Sequence, residues 1–293
     1  MEHITNGSLA TTRPDFEALT RPMFEGDSSV IDFRKETVFW TVNGGFLAAT
    51  ALRVAEHVSS KEAPLSISCQ FLRTVKPGRA ELTSRVLQRT PRTETIEVSI
   101  HQRAHCCMIA QIWTGRVGQG VDFDYTVMPV VPHPDEMRSV SEINSDPLPV
   151  FWNFVEQKAI HRIRTRAFGF RAARALRWFR YCPTPTFACP YLDLARVAPL
   201  IDAMWLPAAS AANEIPALRG PAPTMQLTIH FVEHDPGSEW LLVDANTDRA
   251  RSGLIGGAAR VWSIRGKLVA TGMMQMLGTP GSAGGQPAHG GST

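Results

Sequence analysis

Long apolar runs are missing from this chain. None of its 293 residues falls in a stretch approaching the roughly 18 uninterrupted apolar residues of a membrane span, so no span is expected. The N-terminal stretch MEHITNGSLATTRPDFEALTRP lacks the basic-then-apolar order of a secretory leader. Charge of one sign is also scarce. Lys and Arg number 30 and Asp and Glu 27, and the surplus of +3 is too small to be the footprint of a nucleic-acid binder. The 5 cysteines, an odd number on a long chain, exclude a disulfide scaffold and fit a reducing, cytoplasmic setting. No G-x-S-x-G elbow is present, which argues against a serine α/β-hydrolase. Gly115, Gly118 and Gly120 do not form a dinucleotide fingerprint. His101, His105, Cys106 and Cys107 cluster, but a tight turn between strands explains them and no second Cys/His pair has zinc spacing. Neither a metal nor a cofactor is expected.

What remains is enough to fold. Apolar residues make 44% of the chain and charged ones 19%, which suits a large core and not a disordered polymer. In NGGFLAATALRVAEHV, residues 43–58, apolar side chains recur at helical spacing behind Asn43, a residue suited to capping. Gly44 and Gly45 would let another backbone come close. Strand-like runs follow at 65–74, 80–88, 93–102 and 107–114. A Pro-rich passage at 118–149 reads as a linker over the surface. Then the order returns: a helix around 192–205 and strands at 224–231, 239–247, 253–263 and 267–277. Phe71 and Phe231 lie 160 residues apart, and Pro77 and Pro236 lie 159 apart. So constant an offset points to a duplication.

The segments NGGFLAATAL, ISCQFLRTVKPG, LARVAPLIDAMWLPA, PTMQLTIHF, EWLL and GKLVAT, in that order, resemble the double-hotdog acyl-CoA thioesterases of the thioesterase II group. The resemblance implies an α+β fold of two tandem hotdog modules, each a long helix wrapped by a curved antiparallel sheet. It divides the chain into an N-terminal extension (1–32), a first hotdog (33–117), the linker (118–149), a second, catalytic hotdog (150–277) and a disordered tail (278–293). It further implies an acyl-CoA or acyl-carrier substrate and a homodimer formed through the hotdog sheets.

The family's catalytic Asp falls on Asp202 and its hydroxyl on Thr224. Its Gln would fall on Met274, whereas the sequence has Gln275 one place later. One step along a strand reverses the face of a side chain unless a bulge intervenes. On this pattern Asp202 is the base, helix-start N–H groups serve a developing oxyanion, and Thr224 and Gln275 orient a water. Spacing alone favours a helix cap for Asp202, and it is the resemblance that turns the reading to catalysis. Gly44, Gly45, Phe46, Met204, Trp205 and Met274 are the candidate substrate contacts. The basic run from His161 through Arg174 and Arg177 to Arg180 is either a solvated face or a partner for coenzyme A phosphates, although Trp178-Phe179-Arg180 resembles a W-x-R strand of the family. Two other activities fit the same fold: dehydration or cyclisation of a polyketide-like chain, and plain binding of an apolar ligand.

Overall fold

The computed structural model describes residues 15–26, 28–116, 118, 120–143, 150–160, 173–211 and 222–278. The helices are α1 (Phe16–Thr20), α2 (Gly44–Val58), α3 (Val140–Ile143), α4 (Pro190–Ala195) and α5 (Val197–Ala211). The first six strands are β1 (Met23–Glu25), β2 (Ser28–Phe33), β3 (Ala63–Phe71), β4 (Gly78–Arg89), β5 (Thr93–Gln102) and β6 (His105–Gly115). The second six are β7 (Val155–Ile160), β8 (Arg174–Tyr181), β9 (Thr224–Phe231), β10 (Leu241–Arg251), β11 (Leu254–Ser263) and β12 (Leu268–Leu277).

All twelve strands form one antiparallel sheet in the order β1-β2-β4-β5-β6-β3-β9-β12-β11-β10-β8-β7. Read outward from the β3–β9 seam, the two halves have the same connectivity. Ser68 and Thr228, which are 160 residues apart, pair across that seam with their hydroxyl oxygens at 3.1 Å. The offset found in the sequence therefore marks a local two-fold axis.

α2 is buried from Gly45 to Leu52, as a helix surrounded by sheet must be, and its run of Ala supplies helix propensity without bulk. Asn43 caps it, its side-chain oxygen accepting the Phe46 N–H at 3.3 Å. In the second half, the expected single helix is two. Pro199 has no N–H to offer the Ala195 carbonyl, and its ring would clash there. The helix therefore restarts at Val197 with Pro199 in its first turn, where that N–H is not needed. α2 and α5 pack together so closely that a Cβ on Gly45 would lie 2.3 Å from the Ala198 carbonyl oxygen and the Pro199 Cα. One continuous apolar core runs through both halves.

β2 and most of β8 went unread in the sequence. β2 pairs with β4, so residues 28–32 of the expected extension are part of the first sheet. β8 pairs with β10 and lies where the sequence shows mainly a basic run. Met128, Val131 and Met137 cover a second core of Trp178, Trp240 and Trp262, and the Trp178 indole donates to the Pro132 carbonyl at 3.1 Å. The expected disordered tail lies outside the described residues beyond Gly278.

Candidate active site

Asp202 sits inside α5, not at its start, so the capping role open in the sequence does not apply. Its side chain is held from three directions. Asn43 donates through Nδ2 to Oδ2 at 2.6 Å, and the Gly45 N–H reaches the same oxygen at 3.3 Å. Thr224 donates through Oγ1 to Oδ1 at 2.8 Å. The helix start expected to face an oxyanion belongs to α2, and its N–H groups point at the carboxylate instead. Burial raises the Asp202 carboxyl above the ordinary range, and the hydrogen bonds from Thr224, Gly45 and Gly44 oppose that rise without cancelling it.

Thr224 reaches this carboxylate through an irregularity in β9. Gln226, Thr228 and His230 alternate with the buried Leu227 and Ile229 and face the outer surface. Plain alternation would send Thr224 outward with them. The register against β12 passes from Gln275–Gln226 to Met276–Thr224 and skips Met225. That bulge turns Thr224 inward.

No such irregularity acts on Gln275. Along β12, Gly272, Met274 and Met276 face the core, and Met273, Gln275 and Leu277 are exposed. Gln275 pairs with Gln226 on the outer surface and does not join Asp202, which corrects its place in the expected constellation. The neighbouring amide is that of Asn43, which the sequence offers as a cap and which the repeat offset of 159 residues sets opposite Asp202.

Above the carboxylate lies a cavity of about 210 Å³, lined by Phe39, Trp40, Leu47, Phe71, Trp205 and Thr224 among others. Gly44 and Trp205 line it as expected. Phe46 and Met204 are instead fully buried in the core, and Met274 does not reach this cavity. Gly45 serves the helix crossing. Cys69 is buried, and burial first and the Asp202 charge second push its thiol up, so it is no nucleophile at neutral pH. His101 and His105 flank the β5–β6 turn, where Arg103 and Ala104 take positive φ.

The described members of the basic run are committed elsewhere. Arg174 makes two bonds to Asp244 at 2.6 and 2.7 Å, Arg177 is bonded to Gln157, and Arg180 to Glu156. His161, Arg162, Arg164, Arg166 and Arg171 lie outside the described residues.

Residues 35–115 match the family model of the acyl-CoA thioesterase N-terminal domain, and residues 133–277 that of its C-terminal domain. The chain belongs to the acyl-CoA thioesterase family. Solved structures share the thioesterase fold over nearly their whole length. One is a conserved protein of unknown function with a hot dog fold from Alicyclobacillus acidocaldarius, 22% identical with a TM-score of 0.76, covering 90% of this chain and 97% of that one. Another is the acyl-CoA thioesterase II TesB2 from Mycobacterium marinum, at 18%, 0.76, 91% and 99%. A third is the tesB protein of Mycobacterium avium subspecies paratuberculosis, at 18%, 0.73, 90% and 98%. At these identities the likeness is one of fold, the double hotdog. No curated protein matches the chain.

Proposed function

We propose that this thioesterase-family protein hydrolyses acyl thioesters with Asp202 as general base. The single observation that carries the reading is the 2.8 Å hydrogen bond from Thr224 to a buried carboxylate at the floor of the cavity. Thr224 and Asp202 both line the cavity, where the attacking water lies between them and the thioester. Asp202 takes a proton from that water as its oxygen attacks the thioester carbonyl carbon. The C–S bond then breaks, and the proton passes to the departing thiolate. Asn43, Gly45 and Thr224 fix the carboxylate, so the base needs no reorganisation when the water is activated. Its raised proton affinity makes it a stronger base than an exposed aspartate. Five unpaired cysteines fit a cytoplasmic setting for this chemistry.

The test is release of free thiol from acyl-CoA by the wild type and Asp202→Asn. Hydrolysis that survives the substitution unchanged removes the mechanism. The outward-facing Gln275 favours a second reading, in which the cavity holds an acyl ligand without cleaving it. Absence of thiol release from any acyl-CoA, together with binding of the intact thioester, would establish that reading instead.

A further inference from the structure

Residues 121–132 run on without helix, turn or bend. The far end of this segment is fixed: Met128 and Val131 cover the core of Trp178, Trp240 and Trp262, and the Pro132 carbonyl accepts the Trp178 indole N–H. The near end is bare. Val121, Phe123, Tyr125 and Val127 are 90%, 71%, 88% and 82% exposed. Residues two apart share a face of an extended chain, and the Phe123 and Tyr125 rings lie together with their centroids 5.6 Å apart. Single apolar side chains on a surface need no explanation, but a contiguous row of them marks an interaction site.

The backbone under this row is equally unclaimed. Across residues 121–127 no N–H or carbonyl is hydrogen-bonded to another described backbone group. One N–H is already satisfied, that of Thr126, which donates to Asp124 Oδ1 at 2.7 Å. In an extended chain alternate N–H groups point to opposite edges, so Asp124 closes part of one edge and leaves the edge of the odd-numbered residues open. An apolar row on an open edge is a template for another strand.

We infer that two copies of this chain pair antiparallel through residues 121–129, centred on Tyr125. In that register the segment is complementary to itself. Phe123 falls opposite Val127, Val121 opposite Pro129, and Tyr125 opposite its own copy. Asp122 meets Met128 and Asp124 meets Thr126, whereas pairing centred on Phe123 or Asp124 would set carboxylate against carboxylate. The ladder uses the odd-numbered residues, so the Thr126 N–H stays with Asp124, and Pro129, which has no N–H, ends it. Four side chains this exposed present on the order of 600 Å² per copy, near the roughly 800 Å² that each partner gives a standard interface. An anionic membrane suits the row less well, because residues 118–132 hold two Asp and neither Lys nor Arg. The row also lies outside all twelve strands, so this interface differs from the sheet-to-sheet homodimer that the family resemblance implies.

Sedimentation equilibrium over a concentration series should show a monomer–dimer equilibrium for the wild type. Phe123→Asp with Tyr125→Asp should raise the dissociation constant by about thirtyfold or more, as expected for central aromatic contacts. Both side chains are exposed, so the circular dichroism and melting temperature of the variant should match those of the wild type. Tyr125→Cys tests the register. Facing residues of a hydrogen-bonded antiparallel pair have Cα atoms about 5.5 Å apart, within disulfide reach, so mild oxidation should yield a covalent dimer. Val130→Cys, at a fully exposed position beyond the ladder, should give no more than the background from the exposed Cys182. A wild type that stays monomeric overturns the inference. So does a dimer that the double variant leaves intact, since another face would then join the copies, and so does equal cross-linking at positions 125 and 130. Binding of wild-type monomer to phosphatidylserine vesicles, lost in the double variant, would assign the row to a lipid surface instead.

Discussion

Thr224 Oγ1 stands 2.8 Å from Asp202 Oδ1 because β9 skips Met225 in its pairing with β12. The bulge makes a hydroxyl from the outer row of a strand into a partner of a buried carboxylate. Thr224→Val keeps the shape and removes the donor. Because a hydrogen bond to a charged group contributes about 1.5–3 kcal/mol, kcat/KM for acyl-CoA should fall by roughly 10- to 100-fold. Thr224→Ser should recover most of it. Steady-state thiol release is the measurement, and a valine variant at full rate would remove Thr224 from the mechanism.

Asp202 gives a prediction in pH. As a base it must be ionised, and burial raises its carboxyl above the usual range. kcat/KM should therefore decline as pH falls through a midpoint higher than that of an ordinary aspartate. Asp202→Asn should lose about 10²- to 10⁴-fold. The same shift acts on folding. A group with a higher pKa folded than unfolded binds more protons in the native state, so its contribution to stability diminishes as pH rises between the two values. Melting curves of the wild type and Asp202→Asn should show the Asn variant gaining relative stability from pH 4 toward pH 8.

Gln275→Ala should change neither thiol release nor, beyond about 0.5 kcal/mol, stability, because the side chain is exposed on the surface away from Asp202. A large loss of kcat in this variant would mean that Gln275 meets the substrate after all.

Gly45→Ala should destabilise the protein by about 1–3 kcal/mol or more, since its methyl would meet the backbone of α5 at 2.3 Å. Chemical denaturation gives the number. Pushing α2 from α5 also separates Asn43 from Asp202, so activity should fall with stability.

Asp193 offers a control outside the site. It is buried with Arg196 at 2.7 Å and approached by His234 at 3.3 Å. Burial pushes its carboxyl up, but His234 and Arg196 outweigh that and hold it below the usual range. Its stabilisation is therefore present near neutrality and lost as pH falls through the lowered pKa. Asp193→Asn leaves Arg196 a buried charge without its carboxylate and should cost about 3–5 kcal/mol. The pH profile of kcat/KM should not move.

The repeat, α2, the four strands that follow it, and β9 to β12 were legible because each is a strong local pattern: helical spacing behind a cap, or alternation between turns. β2 and most of β8 were not. The first lies in a short segment ahead of Phe33, and the second is masked by Arg side chains whose partners, Asp244 and Glu156, come from other strands. At the site, Asp202 and Thr224 were named from family pattern. The single-residue mismatch at Gln275 raised the question of a bulge. A bulge exists, but it lies on β9 and serves Thr224, a matter of register between strands that no local pattern encodes. Asn43 was visible as a cap, and the repeat offset set it opposite Asp202; the bond between them depends on the closeness of α2 and α5.

Asn43 caps α2 in the first half, Asp202 lies within α5 of the second, and the two touch where the helices cross. The carboxylate thus draws its amide donor from the opposite half, and neither half alone carries the pair.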